Sequence, residues 1–452
     1  MMKTKSEFVC QQCGAVYKKW VGQCSNCSAW NSLVEQVSAE GSGGGKSAVA
    51  KGQASGKKLK FAKISTIVPS DAKARLVTQF ADLNTVLGGG ILMGSVSLLA
   101  GQPGMGKSTL LMQICAKVAS SGHEVLYVSG EESAGQVKLR AVRLGADSDK
   151  LSFAASTSAN DIAKTIESDE FDLVIVDSIQ TLMMDEISSA PGTVSQVTNC
   201  GNLIIRAAKA TDTAVIIVGH VTKDGTLAGP KVLEHLVDVV LNFEGDRYGG
   251  FKTVRAVKNR FGATNEVAIF EMIDAGLREV ENPSAALLAE RTNTDGSVIL
   301  ATLEGNRPLL VEIQALATRS NYGYPKRTAS GFDLNRLNLL IAVLERRTKL
   351  RLSEQDIFVN VVGGIKLNDS AADLAVCMAI ASAVAGRKLD DGYVVFGEVG
   401  LGGEIRSAFR SDQRIAEAKK LGFLHAIGPS SVHDKFVIPA KDLRTTLIKY
   451  VK

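Results

Sequence analysis

The chain has 452 residues, more than one hydrophobic core normally organises, so its length predicts two or three domains. Hydrophobic residues make up 45% and charged residues 22%, which excludes a disordered chain. No apolar run is long enough to span a bilayer, and the N-terminus lacks the apolar core of a signal peptide, so we expect a cytoplasmic protein with no membrane partner. The net charge of +5 is concentrated in residues 1–60, which contain nine lysines, no arginine and three glutamates. Such a basic arm is typical of proteins that meet nucleic acid, and equally of a soluble linker.

The first 35 residues contain two cysteine pairs with the spacing of a zinc site. The C-x2-C pairs, which ten residues separate, are Cys10 with Cys13 and Cys24 with Cys27. Each short loop brings two thiolates to one ion, and four thiolates leave no coordination position open for a substrate. The spacing predicts a structural four-cysteine zinc finger over residues 1–35. Trp20 and Trp30 are expected to supply its small core.

Composition divides the rest of the chain into three segments. Residues 36–60 are rich in Gly, Ser, Ala and Lys and predict a flexible basic linker. A globular pattern begins at residue 61. We expect an ATPase domain over residues 61–280 and a separate α+β domain over residues 281–452, with its core at about 355–452.

The strongest motif of the chain is a phosphate-binding loop. Residues 101–109 read GQPGMGKST and fit G-x-x-x-x-G-K-[ST], between a predicted buried strand at 96–100 and a predicted helix at 110–119. The glycines let backbone N–H groups face phosphate oxygens at the N-terminus of that helix. Lys107 is expected to reach the β- and γ-phosphates and Ser108 to bind Mg²⁺. The predicted ATP-binding residues are Gly101, Gln102, Pro103, Gly104, Met105, Gly106, Lys107, Ser108 and Thr109.

Polar side chains end three further apolar stretches that predict parallel strands. Glu131 follows the stretch at 124–129 and is expected to orient the attacking water, with Glu132 as the alternative. Asp177 ends the stretch at 173–176 and is expected to hold Mg²⁺. His220 ends the stretch at 214–219, where it is a candidate γ-phosphate sensor or a structural residue.

Two segments near the same edge of the sheet are candidates for DNA contact. Residues 181–201 are predicted to form a loop, followed by an amphipathic helix at 202–210. A second loop, rich in Gly and Pro, carries Lys223 and Lys231. Loops at the carboxyl ends of parallel strands are where such folds place ligands, so both lysines are DNA-binding candidates by position.

Lys258 and Arg260 are two cations one residue apart near the end of a predicted strand. Alternate residues of a strand project from the same face, so both cations are expected to point the same way. Such a pair suits a phosphate bound by a neighbouring subunit, in the manner of an arginine finger. The alternative is an ordinary solvated basic strand.

The last third of the chain predicts a mixed α+β domain. An amphipathic helix is expected at 333–347, a strand at 357–362, an Ala-rich buried helix at 370–385 and a strand at 393–396. A Gly-rich segment, GEVGLGGEI, follows at 397–405. This order resembles the proteolytic domain of Lon.

The sequence order of these motifs resembles the bacterial RadA/Sms family of DNA repair proteins over essentially the whole chain. The motifs are the four-cysteine finger, GQPGMGKST, KNRFG at 258–262 and the C-terminal segments. The resemblance implies an α/β fold: a RecA-like ATPase core, an N-terminal zinc finger and a C-terminal Lon-like domain, with ATP, Mg²⁺ and Zn²⁺ as cofactors. It further implies a hexameric ring on single-stranded and branched DNA, with helicase-like branch migration during homologous recombination in cooperation with RecA. Spacing alone indicates only a phosphate-loop ATPase with a zinc finger.

Three other functions remain open at this point. A Lon-type serine protease needs a Ser nucleophile and a Lys base. Alignment with Lon puts Ala371 at the nucleophile position, with Ser370 one residue early, and Arg410–Arg414 where the Lys is expected. Arg stays protonated and cannot act as the base, so we expect a non-proteolytic domain. An ATP-switched DNA-binding regulator and a signalling ATPase of the clock-protein type are the other two alternatives.

Overall fold

The structure is a computed structural model that describes residues 5–10, 16–25, 30, 32–38, 63–66, 75–168, 170–220, 231–245, 250–320 and 324–451. The chain divides into two compact units, Met1–Val68 and Pro69–Lys452. Within these described ranges, no helix is both long and apolar enough to cross a bilayer.

The first unit contains a small antiparallel sheet. Its strands, in the order β2-β1-β3, are β1 (Lys5–Cys10), β2 (Val16–Tyr17) and β3 (Leu33–Ser38). Buried Cys10, Cys24 and Leu33 form its core, and Phe8 and Tyr17 pack against them. The expectation of a tryptophan core is wrong, because Trp20 is 54% and Trp30 72% exposed. The sulfur atoms and the rings of Phe8 and Tyr17 fill the space instead.

The second unit begins with a nine-stranded sheet in the order β12-β11-β10-β9-β4-β8-β7-β5-β6. Its strands are β4 (Val96–Gly101), β5 (Val125–Ser129), β6 (Leu151–Ala155), β7 (Leu173–Asp177), β8 (Ala214–His220), β9 (Val239–Gly245), β10 (Lys252–Asn259), β11 (Val267–Ile273) and β12 (Gly276–Glu279). The six strands from β9 to β6 are parallel, and β10 to β12 extend the sheet with antiparallel pairs. The central strands are apolar on both faces because helices cover both faces.

Among the described residues, six α-helices accompany this sheet. They are α1 (Ala81–Val86), α2 (Lys107–Ser120), α3 (Ala134–Arg143), α4 (Ala159–Ile166), α5 (Val194–Thr211) and α6 (Lys231–Leu236). α1, α2 and α3 contribute to the core on one face of the sheet, and α4 and α5 to the core on the other. The carboxyl ends of β4, β5, β7 and β8 therefore meet at one edge, between the two helical layers.

α5 begins earlier than the sequence indicates. The prediction of a loop over 181–201 is wrong from Val194 onward, because Thr193 caps the helix by accepting a hydrogen bond from Gln196 N. The fully buried Gln196 side chain also bonds backbone groups of the preceding loop, at Met184, Ile187 and Ser189. Because the polar Gln196 side chain is buried against a loop, the spacing of apolar residues does not reveal the first turns of α5 in the sequence.

A second sheet of seven strands follows, in the order β15-β16-β14-β13-β17-β20-β21, with a separate β18–β19 pair. Its elements are β13 (Ser297–Glu304), β14 (Arg307–Arg319), β15 (Arg327–Ser330), β16 (Gln355–Val361), β17 (Tyr393–Val395), β18 (Glu398–Val399), β19 (Ile405–Arg406), β20 (His425–Pro429) and β21 (Val437–Ala440). The helices are α7 (Pro283–Leu288), α8 (Leu334–Thr348), α9 (Ala372–Ala385), α10 (Ser411–Lys420) and α11 (Leu443–Tyr450). The sheet extends further toward the N-terminus than the core expected at about 355–452, since the β13–β14 hairpin lies at its centre.

Candidate nucleotide-binding site

The phosphate-binding loop connects β4 directly to α2. Gly104 and Gly106 have φ angles of 78° and 104°, a region that favours glycine, and Gly106 is the N-cap of α2. The Lys107 side chain folds back into the loop, where Nζ donates hydrogen bonds to Gly101 O at 2.8 Å and Gln102 O at 2.9 Å. The loop is thus shaped around the place of a phosphate, with the ammonium group inside it.

Lys107 is buried, and this changes its protonation. Burial lowers the pKa of Lys107 to about 8, although the Asp177 and Glu131 carboxylates act in the opposite direction. The loop carbonyls and these two carboxylates are the groups that keep the ammonium charged without a bound phosphate.

Asp177 lies beside the phosphate loop because of the strand order. β8 lies between β4 and β7, so the end of β7 lies across from the start of α2. Ser108 Oγ donates a hydrogen bond of 2.8 Å to Asp177 Oδ2, and Tyr127 from β5 donates one of 2.6 Å to the same oxygen. Burial and the nearby carboxylate raise the pKa of Tyr127 well above its usual range, so its hydroxyl stays protonated.

The two adjacent glutamates that follow β5 have different environments. Ser178 Oγ donates to Glu131 Oε1 at 2.7 Å, and His220 Nε2 lies 3.3 Å from the same oxygen. Burial raises the pKa of Glu131, but these two hydrogen bonds together with the nearby charges of His220 and Lys107 outweigh it and leave the pKa below its usual value. Glu132 instead forms a two-pronged ion pair with Arg140 of α3, at 2.6 and 2.5 Å. Arg140 thus occupies both carboxylate oxygens of Glu132, whereas, among the described residues, no cation is bound in this way to Glu131.

His220 connects two of these groups. Its Nδ1 lies 3.4 Å from Lys107 Nζ, while its Nε2 faces Glu131. The imidazole therefore lies between the cation of the phosphate loop and the carboxylate at the end of β5.

A cavity of about 350 Å³ opens above these side chains. Its lining includes residues of the phosphate loop and most of the charged and polar side chains around it: Gly104, Gly106, Lys107, Ser108, Thr109, Glu131, Glu132, Arg140, Asp177 and His220. The Ser108 hydroxyl and the Asp177 carboxylate are hard oxygen donors, the type that Mg²⁺ prefers. The donor set fits a nucleotide phosphate chain with its magnesium ion.

The two cations of the KNRFG segment approach the same stretch of chain, at the end of α6 and just after it: Lys258 at Glu234–Val237 and Arg260 at Asp238. Burial and the nearby charge of Arg260 lower the pKa of Lys258. Lys258 Nζ donates to three backbone carbonyls that follow or end α6, at Glu234 O, His235 O and Val237 O, with distances of 3.0, 3.0 and 2.7 Å. Its three donors are thus used within its own chain.

Arg260 has a more open position. Its side chain is 56% exposed and makes one ion pair of 3.3 Å with the buried Asp238, which Lys209 also contacts at 2.5 Å. Neither Lys258 nor Arg260 lines the cavity of its own chain. Of the two cations, Arg260 is the more exposed.

The remaining predicted binding residues lie partly outside the described residues. Lys223 falls within 221–230, which the structure does not describe, and Lys231 begins α6 without a described side chain. Cys13 and Cys27 also fall outside the described residues. The thiols of Cys10 and Cys24 are buried together in one core, at 1% and 0% exposure.

The described residues of the second sheet include the positions that the alignment with Lon picks out, around Ala371 and Arg414. Ala371 is fully buried, and exposed Ser370 donates to Glu398 Oε2 at 3.0 Å. Arg414 is 1% exposed and binds Asp369 at 2.6 Å and Ala301 O at 2.8 Å. An arginine held in a buried ion pair cannot accept a proton.

Three site residues escaped the sequence analysis: Tyr127, Ser178 and Arg140. Tyr127 and Arg140 act on residues distant in the chain or on another element, which no local pattern reveals. Ser178 had a usable signal, because a hydroxyl directly after Asp177 must emerge at the same edge of the sheet.

Comparison with known proteins extends this picture. The profile of the AAA domain family matches residues 63–226, and that of the rubredoxin metal binding domain matches residues 8–35. DNA repair protein RadA of Halalkalibacterium halodurans is 47% identical over 97% of this chain and 96% of its own length. The RadA proteins of Bacillus subtilis and Pseudomonas aeruginosa are 46% and 47% identical over 97% and 95% of this chain, and 95% and 94% of their own lengths.

This chain belongs to the RadA family of DNA repair proteins. A solved structure titled as the RadB recombinase also aligns with 46% of the chain and 100% of its own, with 21% identity and a TM-score of 0.37. The matched AAA domain covers β4 to β8 and so identifies the nine-stranded sheet as the core of an ATPase domain. The matched metal binding domain identifies residues 8–35 as a zinc ribbon.

Proposed function

We propose that this RadA-family ATPase is a DNA-dependent motor of homologous recombination. It processes branched intermediates by ATP-driven translocation and branch migration, together with a RecA recombinase and as a homo-hexameric ring. The observation that carries the ATPase part is the convergence of Ser108, Asp177 and Glu131 at the phosphate loop. The DNA part rests on the family of DNA repair proteins to which the chain belongs.

In this proposal each side chain of the site has a task during hydrolysis. Lys107 and the backbone N–H groups of the loop bind the phosphate oxygens and stabilise the negative charge of the transition state. Glu131 accepts a hydrogen bond from the attacking water and orients it toward the γ-phosphate. Ser108 and Asp177 would hold Mg²⁺, which supplies charge neutralisation between the β- and γ-phosphates when it is bound.

His220 is the proposed γ-phosphate sensor. It lies within hydrogen-bonding range of Glu131 and near Lys107, so a phosphate that arrives between them changes its partners. Residues 221–230, with the DNA-contact candidate Lys223, follow it directly in the chain, and Lys231 begins α6. A change at His220 is therefore coupled by chain connectivity to the segment proposed to hold DNA.

The two flanking domains have supporting roles in this proposal. Cys10, Cys13, Cys24 and Cys27 would hold a structural zinc ion, as the matched metal binding domain over residues 8–35 supports. The Lon-like domain acts as a non-proteolytic scaffold. Its buried Arg414 ion pair and its buried Ala371 support this role.

Strand displacement from a forked or three-stranded DNA substrate tests the proposal. The wild type with ATP is compared with Lys107→Ala, which lacks the cation of the phosphate loop. We expect displacement by the wild type only, and stimulation of its ATP hydrolysis by single-stranded DNA. DNA binding without displacement in either protein would contradict a motor and indicate an ATP-switched binding factor instead.

A further inference from the structure

Tyr127 makes a contact that a core residue does not need. Its ring is 1% exposed and packs in the core on the α2 side of the sheet, in the middle of β5. A phenylalanine would fill the same space, so packing does not explain the hydroxyl group. That hydroxyl donates its hydrogen bond to Asp177 Oδ2, on the neighbouring strand β7.

Two neutral donors meet on one oxygen of Asp177. Ser108 Oγ and the Tyr127 hydroxyl both bond Oδ2, and among the residues that the structure describes no side chain donates to Oδ1. Two donors on one oxygen restrict rotation of the carboxylate about its Cβ–Cγ bond. Because both donors are neutral, the carboxylate keeps its full negative charge for a cation.

The position of Lys107 makes this restriction useful. The Asp177 carboxylate is near enough to act against the lowering of the Lys107 pKa by burial, yet the ammonium group donates its hydrogen bonds to the carbonyls of Gly101 and Gln102 instead. A carboxylate free to turn could bind this ammonium directly and close the place of the phosphate. The Tyr127 hydroxyl, fixed by a buried ring, holds the carboxylate toward Ser108 instead.

We propose that Tyr127 is a positioning residue for the metal of the bound nucleotide: its hydroxyl holds Asp177 in the orientation in which Asp177 and Ser108 bind Mg²⁺. The inference rests on the proposed assignment of Ser108 and Asp177 to the metal. It predicts that removal of the Tyr127 hydroxyl weakens the dependence of nucleotide affinity on Mg²⁺, while nucleotide affinity without metal stays the same.

Equilibrium binding of a fluorescent ADP analogue, without turnover, tests this role. For Tyr127→Phe we expect the Mg²⁺ concentration that gives half of the metal-dependent gain in affinity to rise about tenfold. This is within the range for loss of one hydrogen bond to a charged group. Affinity in EDTA should stay as in the wild type, since the phosphate loop is intact. An unchanged Mg²⁺ response would overturn the proposal.

Two matched variants separate the possible explanations. Tyr450→Phe removes a buried hydroxyl that has no hydrogen-bond partner in the described structure. It controls for the general effect of a Tyr→Phe change and should leave nucleotide affinity unchanged, both with Mg²⁺ and in EDTA. Asp177→Asn should abolish the metal-dependent gain. If it does not, the assignment of the metal site itself fails. If Asp177→Asn loses the metal-dependent gain but Tyr127→Phe keeps the wild-type Mg²⁺ response, only the proposed role of Tyr127 fails.

Discussion

Glu131 and Glu132 are adjacent in the chain but their carboxylates are in different electrostatic states. Glu132 is bound on both oxygens by Arg140, whereas Glu131 is oriented by one hydroxyl and one imidazole. A carboxylate that orients water needs a free lone pair and a fixed position. Glu131 meets both conditions, and the ion pair of Glu132 uses the lone pairs that this task requires.

Glu131→Gln should therefore lower the rate of ATP hydrolysis by a factor of about 100 or more, because an amide polarises water poorly. ATP binding should persist, since the phosphate loop is unchanged. The measurement is single-turnover hydrolysis beside a binding titration. Glu132→Gln is the matched control: it should keep most of the hydrolysis rate and lose about 1 kcal/mol of stability with the partly buried ion pair. The reverse ranking of the two variants would assign the water to Glu132.

Lys107 gives nucleotide binding a dependence on pH. Since burial lowers the pKa of Lys107 to about 8, the free protein loses the binding cation as the pH rises through that value. Bound phosphate favours the charged form, so binding above pH 8 must take up a proton. ATP affinity should be nearly constant below about pH 7.5 and should then fall, approaching about tenfold per pH unit.

A titration of ATP affinity between pH 7 and 9.5, at saturating Mg²⁺, measures this slope. Lys107→Arg is the control, because a guanidinium stays protonated over this range and should give a flat profile whatever its absolute affinity. Equal slopes for the two proteins would show that another group titrates.

The residues of the site were predictable to the extent that they act locally. The phosphate loop is one continuous motif, and Asp177 and His220 end continuous apolar stretches. The choice between Glu131 and Glu132 was not available in the sequence, because it depends on Arg140, which lies one turn from the end of α3. The bond from Tyr127 to Asp177 crosses two strands that are far apart in the chain.

At the scale of single elements, Lys258 acts as a cap of helix α6. The last carbonyls of a helix lack partners within it, and a cation there also interacts favourably with the helix dipole. Three carbonyl contacts from one ammonium group satisfy both needs. The sequence interpretation of Lys258 as a group that acts on a neighbouring subunit competes with this structural role.

Lys258→Met keeps the aliphatic stem and removes the cap, so we expect it to lower the free energy of unfolding by about 1–2 kcal/mol. Arg260→Gln, at an exposed position, should change stability by no more than about 0.5 kcal/mol. Thermal unfolding of the two variants with bound and free nucleotide makes the comparison. If Lys258→Met unfolds like the wild type but does not hydrolyse ATP, the ammonium leaves the helix to act elsewhere.

Elements were predicted well where burial gives a simple pattern. The strands β4, β5, β7 and β8 are continuous apolar stretches because both faces are covered. The sequence analysis assigns no strand to the β13–β14 hairpin, although its Gly305 turn joins two apolar stretches. α5 was shortened because the buried Gln196 serves the loop before it.

At the scale of the whole second unit, the two sheets are joined by charged contacts close to the ATPase core. Arg255 of β10 bridges Glu244 at 2.7 Å and the buried Glu304 of β13 at 3.2 Å. Arg307 of β14 pairs with Asp82 of α1, and Glu279 of β12 accepts hydrogen bonds from the first N–H groups of α1. The Arg255 and Arg307 ion pairs thus attach the second sheet to β10, the strand that leads into the KNRFG segment, and to α1.

Arg260 directly follows β10, which lies on the opposite side of β4 from β7 and β5. Arg260 is therefore distant from Glu131 of its own chain. In the proposed ring, Arg260 of one subunit serves the nucleotide of the next.

Glu131→Gln and Arg260→Ala should then be inactive alone and should complement each other when mixed. In an equal mixture, about one subunit interface in four has an intact Glu131 from one subunit and an intact Arg260 from its neighbour, because each has a chance of about one half. Hydrolysis should therefore recover to about a quarter of the wild-type rate. A mixture of Glu131→Gln with Lys107→Ala, both defective in the same site, should stay inactive. If Arg260→Ala mixed with Glu131→Gln also stays inactive, while both variants still exchange subunits with the wild type, Arg260 acts on the nucleotide of its own chain or not at all.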